Sequence, residues 1–142
     1  MVHPEAASAT LLQDELHVVR SVGRVVWCDV TIPKTTQPVA GAEAAKRVGN
    51  YLISQVLQRR SRWLGLILDV RQGPSVFGPI TRDVCMKLFT NAEEAHKPFA
   101  VVTVPSRPIH AQYSELAALH APQYALVTDS LERATDWMTR SR

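Results

Sequence analysis

The chain lacks the features that define several functional classes. Its 142 residues include 2 cysteines, Cys28 and Cys85, which lie far apart and form neither a C-x-x-C pair nor a metal-like spacing. No run of about 18 apolar residues occurs, so we expect no transmembrane segment, and the start of the chain has no basic region followed by an apolar core, so we expect no signal peptide. The sequence therefore predicts two buried, reduced thiols in a cytoplasmic protein.

The excess of one sign of charge is also small. Lys and Arg total 16 against 13 Asp and Glu, and the net charge is +3. The tight basic cluster of Arg59, Arg60 and Arg62 has no interleaved aromatic residues of the kind that stack on bases. We interpret it as the solvated end of a helix and predict no specific nucleic-acid binding.

An apolar content of 46% is enough for one hydrophobic core. The most informative stretch is residues 63–79, WLGLILDVRQGPSVFGP, in which an apolar run ends in Asp69 and a Gly/Pro-rich loop follows. Such a run is typical of a strand buried on both faces of a parallel sheet flanked by helices. The loop then lies at the carboxyl end of the strand, where open α/β sheets commonly bind ligands.

Periodicity and turn residues predict a flexible arm over residues 1–14 and one α/β domain over 15–140. Gly23 is placed for a positive φ in the turn of an N-terminal hairpin. We expect Ser106 and Asp129 to cap the third and fourth helices. The predicted order is β-β-α-β-α-β-α-β-α with a mostly parallel central sheet: a hairpin over 16–32, strands over 63–70, 99–104 and 124–127, and helices over 42–60, from 79, from 108 and from 130.

This order of elements, with a strand that ends in a carboxylate and the terminal segment TDSLERATDWM, resembles the STAS domains, named for sulfate transporters and anti-sigma-factor antagonists. The resemblance covers residues 16–139. It implies a non-enzymatic regulatory module that binds another protein and needs no cofactor.

One position departs from that resemblance. A typical antagonist has an Asp-Ser or Asp-Thr pair at the start of the helix after its third strand, where a kinase phosphorylates the hydroxyl group. Residues 77–80 here read FGPI and carry no hydroxyl. We expect the flanking Ser75 and Thr81 to be turn and cap residues, with phosphorylation of either as the alternative. The chain is thus closer to the divergent bacterial branch described as STAS-like or lipid-carrier-like.

Asp69 has two interpretations, a ligand anchor or general base, and a structural carboxylate paired with Arg71, which we favour. The histidines are scattered, and neither a nucleophile elbow nor a phosphate-binding glycine loop occurs, so we predict no enzyme activity, no cofactor and no metal site. The predicted binding residues lie in or near the loop that follows the buried strand: Asp69, Arg71, Gln72, Ser75, Phe77 and Arg82.

Two functions remain. In the first, the surface formed by residues 33–41, residues 71–79 and the next helix binds a protein partner, with a homodimer through the free edge of the hairpin as a further option. In the second, the domain carries a small ligand, a lipid or a nucleotide. Val76, Phe77 and Ile80 then supply apolar contacts and Arg71 binds the head group.

Overall fold

The computed structural model describes residues 8–32 and 38–140, and residues 1–7, 33–37 and 141–142 lie outside this description. The strands are β1 Ser8–Gln13, β2 His17–Val22, β3 Val25–Thr31, β4 Gly65–Gln72, β5 Phe99–Val102 and β6 Ala125–Thr128, and the helices are α1 Pro38–Gln55, α2 Pro79–Ala95, α3 Pro108–His120 and α4 Leu131–Thr139. Over these two ranges, no helix is both long and apolar enough to cross a bilayer.

The described strands form one six-stranded sheet in chain order, from β1 to β6. The pairs β1/β2 and β2/β3 are antiparallel, and the pairs β3/β4, β4/β5 and β5/β6 are parallel. Each parallel pair requires a crossover, and α1, α2 and α3 supply the three crossovers. The prediction of a single α/β domain with a mostly parallel sheet is confirmed.

Strand β4 is the interior strand that the apolar run predicts. Leu66 and Ile67 are fully buried, and β4 pairs with β3 on one side and β5 on the other. Side chains alternate between the faces of a strand. Leu66, Leu68 and Val70 therefore pack in the larger core under α1, α2 and α3, whereas Ile67 packs in the smaller core under α4.

Because the parallel strands follow one another in chain order, the crossover helices share one face of the sheet. The described strands consequently have no switch point where successive crossovers leave toward opposite faces, which is the usual ligand site of an open α/β sheet. A site at the carboxyl edge must therefore be built by the helices and loops above it.

The prediction of a flexible arm over residues 1–14 is wrong for residues 8–13, which form β1. This strand pairs with β2, and Leu11 and Leu12 pack against the larger core. The sequence signal is weak because most of β1 is exposed. As a result, the edge of the hairpin that we considered for self-association is covered, and β1 is the outer strand instead.

Helix ends also differ from the predictions. Helix α1 spans Pro38–Gln55 instead of 42–60. It begins earlier than predicted because proline is tolerated in the first turn of a helix. It ends earlier because the N–H groups of Val56 and Leu57 both donate to Leu52 O, which departs from the regular helical pattern. Arg107, not Ser106, is the N-cap residue of α3. Ser130, not Asp129, caps α4 by accepting a hydrogen bond from Arg133 N at 3.1 Å. The positive φ of Gly23, 61°, confirms its predicted role in the hairpin turn.

Gly65 allows β4 to pack closely beneath α4. A Cβ atom at Gly65 would lie 2.4 Å from Pro98 O and 2.7 Å from Met138 Sδ. We expect Gly65→Ala to lower the free energy of unfolding by about 2 kcal/mol or more, because a backbone oxygen cannot move aside as a flexible side chain can. Urea denaturation measures this change.

The matched control is Gly78→Ala. A Cβ atom at Gly78 would meet no atom within 4 Å, and we expect a loss of about 1 kcal/mol or less, as for alanine at an N-cap position. Equal losses for the two variants would contradict the packing described for Gly65.

Candidate functional site

An apolar cleft of about 590 Å³ opens between α1 and α2, above the carboxyl ends of β3 and β4. We call it the α1–α2 cleft. Cys28, Leu68 and Val70 contribute from the sheet, and Ile109 and Tyr113 of α3 also line it. A concave, mostly apolar space of this volume is typical of sites that bind small molecules.

Small residues of α1 border the cleft, together with Glu43, Val48 and Leu52 of the same helix. Gly41, Ala42, Ala45 and Gly49 line it from α1. At Gly49 the helices approach closely, since a Cβ atom there would lie 2.4 Å from Val84 Cγ1 of α2. Larger residues on this side of α1 would fill the space.

The loop between β4 and α2 borders the cleft and is held by α3. Gln112 Oε1 accepts a hydrogen bond from Phe77 N at 3.0 Å, and Gln112 Nε2 donates one to Phe77 O at 3.3 Å. Ile109 N donates to Ser75 O at 2.8 Å. The Phe77 ring is buried and makes an edge-to-face contact with Tyr113, with centroids 5.2 Å apart. These contacts fix the loop in place.

The border of the cleft is also apolar where it meets solvent. Among the described residues, Ile32, Val76 and Ile80 are large hydrophobic side chains that remain 55%, 55% and 46% exposed, and all three line the cleft. Large apolar side chains clustered at an opening are typical of a ligand or partner site, whereas isolated ones are ordinary surface residues.

Of the predicted binding residues, Phe77 is the one that lines the cleft. Asp69 and Arg71 alternate with Leu68 and Val70 along β4, so they lie toward the other face of the sheet. Arg71 donates to both carboxylate oxygens of Asp69, at 3.0 and 2.8 Å. The pairing with Arg71 that the structural interpretation of Asp69 expects is present. Hydrogen bonds to Asp69 raise the pKa of Arg71, although burial acts in the opposite direction.

The remaining predicted residues are on the surface. Gln72, Ser75 and Arg82 are exposed, and Arg107, the N-cap residue of α3, donates to Arg71 O at 3.1 Å. The charged and apolar groups that we predicted to act together are therefore separated. Residues 33–37 of the predicted partner surface lie outside the described residues, and residues 38–41 belong to α1.

Both cysteine thiols are unreactive. Burial raises the pKa of Cys28, and it raises the pKa of Cys85 to about 11. Cys85 Sγ lies 3.6 Å from the hydroxyl oxygen of Tyr113, whose own pKa burial also raises. Neither thiol is appreciably ionised at neutral pH, so neither is an activated nucleophile. Over residues 8–32 and 38–140, no three His, Cys, Asp or Glu side chains cluster to hold a metal ion.

The pair formed by Asp14 and His17, of which His17 lines the cleft, was not predicted from the sequence. Asp14 Oδ1 lies 3.0 Å from His17 Nδ1 and accepts hydrogen bonds from Leu16 N and His17 N, both at 2.8 Å. Burial by itself raises the pKa of Asp14, but these hydrogen bonds and the charge of His17 outweigh it, and the pKa is lowered. The sequence feature that could have predicted this pair is an Asp followed three residues later by a His at the start of a strand.

Gln112, which binds the backbone of Phe77, was also not predicted from the sequence. We expect Gln112→Ala to leave Phe77 N and O without their partners, to lower the free energy of unfolding by about 1 kcal/mol and to speed hydrogen exchange at the Phe77 amide. Gln72→Ala, which removes an exposed glutamine from the end of β4, should change neither quantity. Unchanged exchange at Phe77 in Gln112→Ala would contradict this account of the loop.

The lowered pKa of Asp14 predicts a pH dependence of stability. The unfolded chain binds more protons than the folded protein as the pH falls below the ordinary value of 3.8, so stability rises with pH in that interval. The stabilisation is complete above 3.8 and is lost as the pH falls through the lowered pKa. Asp14→Asn should therefore lower the urea midpoint most at neutral pH, and the difference from wild type should shrink in acid. Asp136→Asn, at an exposed carboxylate of α4, is the control, and a difference that grows in acid would contradict the assignment.

Comparison with known proteins adds the fold but not a function. No family model and no curated protein matches the chain. Among solved structures, the chain is similar to the protein TM1081, determined by NMR, with a TM-score of 0.58 and 12% sequence identity over 94% of this chain and 98% of that chain. At this identity, the similarity shows that the two proteins share a fold.

Proposed function

We propose that this protein is a non-catalytic domain that binds a small hydrophobic molecule in the α1–α2 cleft. The observation that carries the proposal is the apolar volume of about 590 Å³ between the two helices. Native cores are packed closely, with few voids larger than a water molecule. An open apolar space of this size instead exposes apolar surface to water, and a hydrophobic molecule that occupies it removes that surface from water.

The lining favours a lipid-like ligand over a nucleotide. Neither arginine nor lysine occurs among the described residues that line the cleft. Arg71, the residue predicted to bind a phosphate or head group, is paired with Asp69. A nucleotide would bring several negative charges to a cleft whose described lining holds no arginine or lysine to neutralise them. Of the two ligand classes considered, a hydrocarbon ligand fits the cleft better.

A carrier or sensor role is also consistent with the chemistry of the buried groups. Cys28 and Cys85 are protonated thiols at neutral pH, and both oxygens of Asp69 are bound by Arg71. These groups are therefore poorly suited to nucleophilic or general-base catalysis. Two buried free cysteines suit a reducing compartment, which supports the proposal of a cytoplasmic location.

A regulatory interaction with another protein is the second candidate. The exposed side chains of Ile32, Val76 and Ile80 favour it, because a partner could cover them. From β2 onward, the observed order β-β-α-β-α-β-α-β-α is the order on which the resemblance to STAS domains rests. Kinship with those domains thus remains part of this proposal, together with binding that occupancy of the cleft controls.

Filling the cleft should weaken binding. We expect wild-type protein to bind the neutral fluorophore N-phenylnaphthylamine saturably, and Ala45→Trp to weaken binding by tenfold or more, about 1.4 kcal/mol, because the indole ring occupies the space. Fluorescence titration measures both affinities. Native mass spectrometry of freshly purified protein would detect a hydrophobic molecule that co-purifies.

Ala118→Trp is the matched control, since Ala118 is an exposed residue of α3 outside the cleft. It should bind the fluorophore as the wild type does. Absence of saturable binding by wild-type protein, or equal binding by Ala45→Trp and wild type, would contradict the proposed function. Urea denaturation of each variant separates a filled cleft from an unfolded chain.

A further inference from the structure

We propose that His17 Nε2 binds the head group of the ligand, and that this ligand is a monocarboxylic acid with a single hydrocarbon chain. The inference rests on the proposed function, because it names the ligand class of the same cleft. It is carried by a buried polar side chain that lines a mostly apolar space and has one ring nitrogen without a partner among the described residues.

His17 is 8% exposed and lines the cleft from the start of β2. Its Nδ1 lies 3.0 Å from Asp14 Oδ1, so Asp14 sets the orientation of the ring. Within residues 8–32 and 38–140, the hydrogen bonds of the His17 ring are made by Nδ1, and none is made by Nε2. Because a buried polar atom without a hydrogen bond is destabilising, a ligand that supplies the missing bond is favoured.

A carboxylic acid satisfies Nε2 in either protonation state. When Nδ1 carries the proton and donates it to Asp14, Nε2 has a lone pair that accepts a hydrogen bond from a protonated acid. When the ring is protonated, Nε2 donates to a carboxylate and Asp14 stabilises the imidazolium. The two arrangements contain the same atoms and differ by one proton moved between the ligand and the ring.

The surrounding charges favour one acidic group and not several. Arg47 Nη2 lies 3.4 Å from Asp14 Oδ2, and this oxygen also lies 3.4 Å from His17 Nδ1, so the carboxylate of Asp14 already has two basic partners. Glu43, an exposed residue of α1, also lines the cleft. Its negative charge opposes a dicarboxylate or a phosphate. A single carboxyl group at His17, with its tail along the apolar lining, fits both conditions.

Competition against N-phenylnaphthylamine tests the head group directly. Wild-type protein should bind dodecanoic acid roughly 10- to 100-fold more tightly than methyl dodecanoate, as expected for a charge-assisted hydrogen bond. In His17→Asn, the shorter amide still reaches Asp14 but has no polar atom at the position of Nε2. The preference for the acid should fall to within about threefold of unity, while the affinity for the ester is retained. His120→Asn, outside the cleft, should keep the wild-type preference.

A second measurement needs no variant. The ¹⁵N chemical shift of His17 Nε2 should change when dodecanoic acid is added and stay unchanged with the methyl ester. An acid preference that persists in His17→Asn, or a Nε2 shift that responds equally to acid and ester, would overturn the role of His17 and leave the proposed function intact. If wild-type protein binds neither the fluorophore nor either compound, the proposed function itself fails.

Discussion

The close approach of α1 and α2 at Gly49 is the constraint on which the site depends. Without a side chain at Gly49, Val84 of α2 can lie against the backbone of α1. On the same side of α1, small residues at Gly41, Ala42 and Ala45 leave volume unfilled toward the strand ends. Small residues of α1 therefore contribute both to the tight packing at Gly49 and to the open space beside it. Since chain-order pairing puts all three crossover helices on one face of the sheet, these two helices are necessarily neighbours.

Side-chain alternation along β4 divides the carboxyl edge of the sheet into two chemically different parts. Leu68 and Val70 face the cleft, whereas Asp69 and Arg71 pair with each other toward the opposite face. Asp69 also lies beside Asp29 of β3, whose carboxylate is paired with Arg20 at 3.2 Å. Each carboxylate of this pair is thus neutralised by its own arginine. The charged residues support the strand ends, and the apolar residues of the same strands form the cleft.

The sequence predicts local features well and remote contacts poorly. The interior position of β4, the turn at Gly23 and the apolar character of Val76, Phe77 and Ile80 follow from periodicity and composition over a few residues. Gln112 binds the backbone of Phe77 across 35 residues, and no local pattern encodes such a contact. Strand β1 was missed because an exposed edge strand carries little hydrophobic alternation. No sequence pattern singles out His17, since its place at the cleft depends on how α1 and α2 cross the sheet.

The central claim is that the α1–α2 cleft is a binding cavity for a hydrophobic molecule. The most direct test is to map amide chemical shifts by NMR during titration with N-phenylnaphthylamine. The account predicts saturable changes at Ala45, Gly49 and Thr81, which line the cleft, with the amides of α4 unchanged. Changes confined to α4 or to β1, or no saturable change at all, would contradict it.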